Sequence, residues 1–306
     1  MYGYVARRLL SSVFVLLGAT FFVFSLLFLV PGDPARVVGG DQATPELIQQ
    51  IRAELGLDRP FVMQYMAFLG RIAHGDLGFS YVSQKSVLEE VSTRYGATVE
   101  LASAATLLAV IVGISAGVIS SVFPNSVLDK IFMLVALGGV SIPVFWLGLM
   151  LILFFSLQLG WFPAVGRGGI EYLVLPALAL GARSSGVVVR ITRGGMLEVL
   201  NRDFVRTARS KGCTESRVVL LHVLNNALIP VITIVGLELG YLLAGTVITE
   251  TVFAWPGIGL YMVDSILARD FPGVQGAALV IAASFLTINL LADLLYAYVD
   301  PRIRTP

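Results

Sequence analysis

Six long stretches almost free of charge govern what this chain can fold into. Residues 9–30, 101–123 and 131–166 contain no Asp, Glu, Lys or Arg. Residues 172–189 are interrupted only by Arg183, residues 227–249 only by Glu238, and residues 271–299 only by Asp293, near their end. A helix crosses the hydrocarbon of a bilayer with about 20 apolar residues, and each stretch is of that order. The chain is 57% hydrophobic and 13% charged, against about 25% charged in soluble domains. So few charges cannot clothe 306 residues in a polar surface, which excludes the soluble globular class. The expected fold class is an all-α polytopic membrane protein of six transmembrane helices. The first lies within residues 1–30, and the others near 98–123, 131–157, 172–193, 227–250 and 275–299.

The first span is expected to remain uncleaved. Arg7 and Arg8 supply a basic start, but the run 9–30 is longer than a signal-peptide core of about 7–15 residues, and no small-residue cleavage pattern follows it. Lys and Arg in short loops set the orientation. With the N-terminus inside, the inner side receives Arg7, Arg8, Lys130, Arg302 and Arg304, and a dense set formed by Arg190, Arg193, Arg202, Arg206, Arg209, Lys211 and Arg217. The short outer loops hold only Arg167 and Arg269. Both termini are therefore expected in the cytoplasm.

Residues 31–96 form the one sizeable outer segment. Leu47, Ile48, Ile51 and Leu55 stand at helical spacing behind Thr44-Pro45-Glu46, and a second helix is predicted over residues 61–73 after Asp58-Arg59-Pro60. Residues 75–78 read as a turn and 87–93 as a short amphipathic helix. The expectation is a small helical cap on the membrane face. Chemistry on this chain finds no support. Cys213 is the only cysteine, His74 and His222 stand far apart outside any HExxH, and no GxxxxGK[ST] occurs, so any ATP must be bound by another chain.

The inner loop, about 194–226, is the informative part. Arg202, Arg206 and Arg209 fall at i, i+4 and i+7, on one helix face. Gly212 breaks that helix, and Thr214 can cap a second, with Glu215 in its first turn. Helix, glycine, helix makes a compact knob suited to passing force from a cytoplasmic partner. The plainer reading is a basic loop that only fixes topology.

Phe204-Val-Arg-Thr-Ala-Arg-Ser-Lys-Gly212 followed by His222-Val-Leu-Asn-Asn-Ala-Leu-Ile-Pro230 resembles the inner loop of the peptide and nickel permeases of ABC importers. The general importer motif reads Glu-Ala-Ala, three residues, then Gly; here Arg206, Thr207, Ala208 and Gly212 stand in its place, as is similar in the peptide-permease branch. The resemblance extends along nearly the whole chain. It takes in residues 4–9, 31–34, 55–60 and 75–78, then Phe253-Ala-Trp-Pro-Gly-Ile-Gly259, Arg269-Asp-Phe-Pro272 and Asp300-Pro-Arg-Ile-Arg304. Most similar is the first permease subunit of dipeptide, glutathione and nickel importers. The resemblance implies a second homologous permease, two cytoplasmic ATPases that carry the ATP and Mg²⁺, and an extracytoplasmic substrate-binding protein. It also implies a bacterial or archaeal inner membrane, with lipid around the chain and no nucleic acid. Phe204, Arg206, Thr207, Ala208, Lys211, Gly212, Glu215 and Arg217 would couple to the ATPases. The substrate would be di- or oligopeptide, glutathione-like peptide or, alternatively, a nickel chelate.

Single residues keep two readings each. Glu238, midway through its span, either lines a pore and meets an α-ammonium or cation, or hydrogen-bonds a neighbouring helix. Arg183 and Arg190 share a face and are expected to snorkel to the inner surface. Ser141-Ile142-Pro143 is expected to kink the third span; Ser141 and Pro143 join Glu238 as candidate pathway residues. Phe253, Trp255, Pro256, Gly257 and Gly259 make a non-helical turn, an outer gate or an interfacial anchor. Gly113 and Gly117, four apart, suit either a subunit interface or internal packing. A secondary transporter would carry an internal repeat and paired broken helices, and it leaves the 204–217 knob unexplained. A membrane enzyme lacks a nucleophile, metal or acid–base set here.

Overall fold

Most of the uncharged sequence is helical in the computed structural model. The structure describes residues 2–29, 33–40, 43–54 and 56–299; Val30, the Pro31-Gly32 pair, Leu55 and the motif at 300–304 lie outside them. Long apolar helices are α1 (Tyr2–Leu29), α5 (Val87–Val122), α8 (Ile170–Leu200), α11 (Leu224–Val252) and α13 (Phe271–Val299). Between α5 and α8 come α6 (Val127–Ser141) and α7 (Val144–Leu151), the latter continued by a π-helical stretch, Ile152–Gln158. Among the described residues five helices are long enough and apolar enough to cross a membrane, or six when α6 and α7 count as one broken span.

The break in that span is sharper than the expected kink, 110°. Pro143 has no N–H and crowds the residue before it out of helical geometry; Ile142 accordingly sits at φ −78°, ψ 129°, an extended conformation. Two other boundaries differ for the opposite reason, the lack of a breaker. The helix expected over 87–93 is simply the start of α5, since between Val87 and Leu101 the weakest helix former is Gly96, which does not break the run. The second helix of the knob is likewise not separate. A three-residue α10 (Glu215–Arg217), a π-helical stretch (Val218–Val223) and α11 run on without a Gly or Pro between Thr214 and Ala227.

Short elements complete the chain. The Asp33 side chain caps α2 (Pro34–Gly39) by accepting from the Ala35 N–H at 3.1 Å, with Pro34 in the first helical position. The expected helices of the outer segment are α3 (Pro45–Glu54) and α4 (Phe61–Ala73). Among the described residues two further helices are α9 (Asp203–Ser210), between α8 and α10, and α12 (Ile258–Leu267), which hydropathy did not single out.

The chain divides into two compact units. One holds residues 99–255 and 287–299. Its centre is α8, which packs on α6, α7 and α11 and buries a long apolar face from Leu175 to Val199. Gly113 and Gly117 of α5 lie directly against Val188 and Thr192 of α8, and Gly139 of α6 against the Ala182 carbonyl. A Cβ on Gly117 would stand 2.6 Å from Thr192 Cβ, so this glycine pair serves internal packing.

The other unit holds residues 2–98 and 256–286. In it α4 lies along α1 rather than forming a cap above the span. Phe24 packs its ring on Phe61, Tyr65 and Phe68, centroids 5.2–5.5 Å apart. The Tyr65 hydroxyl donates to the Leu17 carbonyl at 3.2 Å and lies 3.0 Å from the Thr20 hydroxyl. Leu17 and Thr20 fall in the middle of the uncharged run 9–30, so α4 sits at the depth of that run. Val87, Val91, Ile258, Tyr261 and Ala277 form a second small core.

Candidate functional site

The 203–217 knob stands on its own apolar base. Val205 and Ala208, three apart on α9, turn inward and pack with Met196, Val199, Val218, Val219, Val223 and Ala227. The opposite face, with Phe204, Arg206 and Thr207, is exposed, as are Lys211, Gly212, Glu215 and Arg217 beyond it. Gly212 adopts φ +79°, a left-handed conformation that costs glycine little and other residues more. The turn closes with the Gly212 N–H on the Arg209 carbonyl at 2.9 Å and the Cys213 N–H on the Ala208 carbonyl at 3.3 Å.

Across that turn Arg209 donates from Nε and Nη2 to the two Glu215 oxygens, at 2.7 and 3.1 Å. The paired carboxylate holds the Arg209 guanidinium pKa above its ordinary value. Glu215 therefore braces the two halves of the knob, while Thr214, at the cap position, makes no side-chain cap bond. Among the described residues Arg206 pairs only with Asp203, at 4.0 Å with both side chains exposed. Such a contact contributes little, and its charge is available to a partner.

A buried clamp behind the knob was not anticipated. Asp129, 3% exposed, accepts from Arg193 Nε and Nη2 at 2.8 Å each, from the Asn125 N–H at 2.8 Å and from the Ser120 hydroxyl. Ser126 caps α6 by accepting from the Asp129 N–H at 3.2 Å. The end of α5, the start of α6 and α8 are thus tied at one carboxylate. The Ser-x-x-Asp spacing, a helix-start pattern, was legible. Its partner Arg193, 64 residues away, was not.

Glu238 on α11 meets α8 deep in the same unit. Its Oε2 accepts from the Ser184 hydroxyl at 2.5 Å and lies 3.5 Å from Arg183 Nη1. The Arg183 guanidinium covers the Tyr241 ring at 4.1 Å. Arg183 thus turns to an opposite charge and an aromatic face instead of snorkelling, because a cation at bilayer depth gains most from a nearby anion. Ser141 and Pro143 stand elsewhere, exposed at the α6–α7 bend.

The Phe253–Gly259 stretch falls in two parts. Phe253 and Trp255 are buried, 1% and 0% exposed, which leaves neither as an exposed interfacial anchor. Phe253 packs among Leu175, Ala179, Phe155 and Phe162, and its carbonyl accepts from the Gly166 N–H at 2.8 Å. Arg167 lies over the Trp255 ring at 5.7 Å and pairs with Glu100 at 2.5 Å. In the other unit, Gly257 precedes α12, whose Ile258 N–H donates to the Thr98 hydroxyl at 2.9 Å; Pro256 is half-buried and Gly259 buried.

Comparison with known proteins adds to this geometry. Residues 109–305 match the family described as "Binding-protein-dependent transport system inner membrane component", and residues 1–102 its N-terminal counterpart. The chain is 42% identical to the dipeptide transport system permease protein of Alkalihalophilus pseudofirmus, over 99% of this chain and all of that one. It is also 42% identical to the glutathione transport system permease protein of Escherichia coli K12, over 99% of each. Among solved structures it is similar in fold to the methionine ABC transporter MetNI in an inward-facing form (TM-score 0.58, 16% identity, 69% of this chain and 96% of that one). An amino acid ABC transporter with histidines gives a TM-score of 0.54 at 18% identity, over 76% of this chain and 98% of that one.

Proposed function

The chain belongs to the family of binding-protein-dependent transport system inner membrane components, the permeases of ABC transporters, and from that premise we propose that it forms half of the translocation pathway of an importer for di- or oligopeptides. The carrying observation is the full-length likeness to two permeases whose names specify dipeptide and glutathione, both small peptides. A second, homologous permease completes the pore, and an extracytoplasmic binding protein delivers the substrate. Two cytoplasmic ATPases supply ATP and Mg²⁺ and seat α9 through Phe204, Arg206, Thr207 and Lys211. When they close on ATP, the knob, braced by the Arg209–Glu215 pair, passes the movement to α8 and α11, between which it is built. Rigid-body rocking then opens the path toward the loaded binding protein. Glu238, Ser141 and Pro143 are the pathway candidates. Phe253 and Trp255 in one unit, and Pro256, Gly257 and Gly259 in the other, remain candidates for the outer gate through the backbone they shape.

Uptake of a radiolabelled dipeptide into proteoliposomes holding the assembled complex tests this reading. ATP-dependent accumulation is expected with the binding protein present; a complex whose ATP hydrolysis answers to another solute, and which accumulates no peptide, refutes the peptide assignment. The orientation is tested by reporter fusions. Those after Glu46 and Arg167 are expected outside, and those after Arg202 and Arg304 in the cytoplasm. An outside signal at Arg202 removes the knob from any ATPase.

A further inference from the structure

We propose that Arg183 and Glu238 form an exchangeable ion pair that takes the two charged ends of a zwitterionic peptide inside the pathway. The idea rests on the peptide-importer reading above. Both residues stand deep in their spans, Arg183 within the otherwise uncharged stretch 172–189 and Glu238 within 227–249. Charges at that depth do not face lipid; they face protein or a wet cavity. Yet the group is not closed in by this chain. The Arg183 side chain is 33% exposed and Tyr241 is 47% exposed. The open side of this α8–α11 face therefore meets water or a second permease.

The pair is also loosely made. A structural Arg–carboxylate clamp shows the two parallel short bonds seen between Arg193 and Asp129, both 2.8 Å. Here the nearest approach is 3.5 Å, and Arg183 Nη1, although buried, makes no hydrogen bond among the described residues. The Glu238 oxygen is instead taken by the Ser184 hydroxyl. Tyr241 covers one face of the guanidinium, which leaves its edge donors for an in-plane acceptor. A peptide's terminal carboxylate is such an acceptor and fits the guanidinium fork. Its ammonium end is the natural counter-ion for Glu238. Trading one ion pair for two leaves no charge bare at depth, either on the protein or on the substrate. The path can then accept a zwitterion that it would otherwise have to strip of water.

The rival role is static: a salt bridge that only ties α8 to α11. Neutralising both partners separates the two. In the assembled complex, with saturating loaded binding protein, Glu238→Gln, Arg183→Gln and the double variant are compared for uptake of a dipeptide with free ends. If the pair receives substrate, the double variant assembles like wild type but takes up dipeptide about tenfold or more slowly, the worth of one charged hydrogen bond. If the pair is only a tie, the double variant regains wild-type uptake, and the proposal falls. A second measurement holds should the double variant fail to assemble. Glu238→Cys in a Cys213→Ser background is expected to react with a small, membrane-impermeant cationic thiol reagent, and turnover with dipeptide is expected to slow that reaction. Absent labelling, or labelling indifferent to dipeptide, overturns the proposal. A wild-type complex that takes up no dipeptide removes the importer reading itself, whereas normal uptake by the double variant removes only the role of this pair.

Discussion

Asp129 takes both hydrogen bonds that one edge of Arg193 can give, at 2.8 Å each, and so joins the first turn of α6 to the last third of α8. Asp129→Asn would keep the shape, lose the charge and leave the Arg193 guanidinium uncompensated against a buried amide. Breaking one side of a buried pair is costly because the other side stays buried. The yield of folded permease in detergent is expected to fall severalfold. Arg193→Lys, which keeps the charge but loses the two-point geometry, is expected to lie between. Wild-type yield from both variants would show that the clamp contributes nothing.

Gly212 offers a cleaner test of the knob. A Cβ added there meets no atom within 4 Å, so a substitution is judged on backbone strain alone. A left-handed residue with a side chain costs about 1–2 kcal/mol, least for Asn, which tolerates that region. Gly212→Asn should transport at near wild-type rate. Gly212→Val should insert normally yet lose transport severalfold, as the turn opens and the Arg209–Glu215 brace is misaligned. Equal rates for the two variants would argue that the positive φ is not required.

The exposed charge on α9 can be separated from charge on the inner side in general. Arg206→Glu reverses a residue with no close counter-ion beyond Asp203, 4.0 Å away. It should leave the fold intact and reduce the response of ATP hydrolysis to loaded binding protein. Lys130→Ala removes an exposed charge outside the knob and should have the smaller effect. A larger loss from Lys130→Ala would place the ATPase contact elsewhere.

Asp270 is a fastener within the unit that holds residues 2–98 and 256–286. Buried at 2% exposure, it accepts from the Ser80 hydroxyl at 2.5 Å and the Tyr81 N–H at 3.2 Å, and so pins the turn before α5 to the residue before α13. Hydrogen bonds to a charged group contribute about 1.5–3 kcal/mol. Asp270→Ala should therefore make the segment 76–86 sensitive to protease added from outside, with insertion unchanged. Resistance equal to wild type would mean that the turn is held by other contacts.

Much of this architecture could be read before any coordinates, and the misses share a cause. Periodicity and uncharged length are local signals. They located the long helices, α3, α4 and the Gly212 turn. They failed where a boundary depends on something absent: with no breaker ahead of it, α5 extends back to Val87, and α11 merges with the end of the knob. They failed again where a residue's role depends on a distant partner. Arg183 on its own resembles a snorkelling cation, and only the fold brings it to Glu238 on another helix. Asp129 looks like a helix-start residue until α8 brings Arg193 to it. Phe253 and Trp255 have the composition of an anchor, and nothing local tells that α8 and the 155–162 stretch enclose Phe253.

The glycines along α8 have a mechanical consequence. At Gly113, Gly117, Gly139, Gly181 and Gly186 the helices α5, α6 and α8 touch backbone to backbone or backbone to a stiff, branched or very short side chain. Long side chains between helices act as soft spacers, since they can change rotamer when load is applied; these contacts have almost none to change. The α5–α6–α8 block is therefore expected to be the low-compliance part of the chain, a lever whose far end moves as far as its near end. Strain has to collect where the helical ladder is irregular next to that block, at the π-helical stretch Val218–Val223 and at the 110° bend before Val144. Those two places, one beside the knob and the other at the end of α6, are where such a lever would pivot.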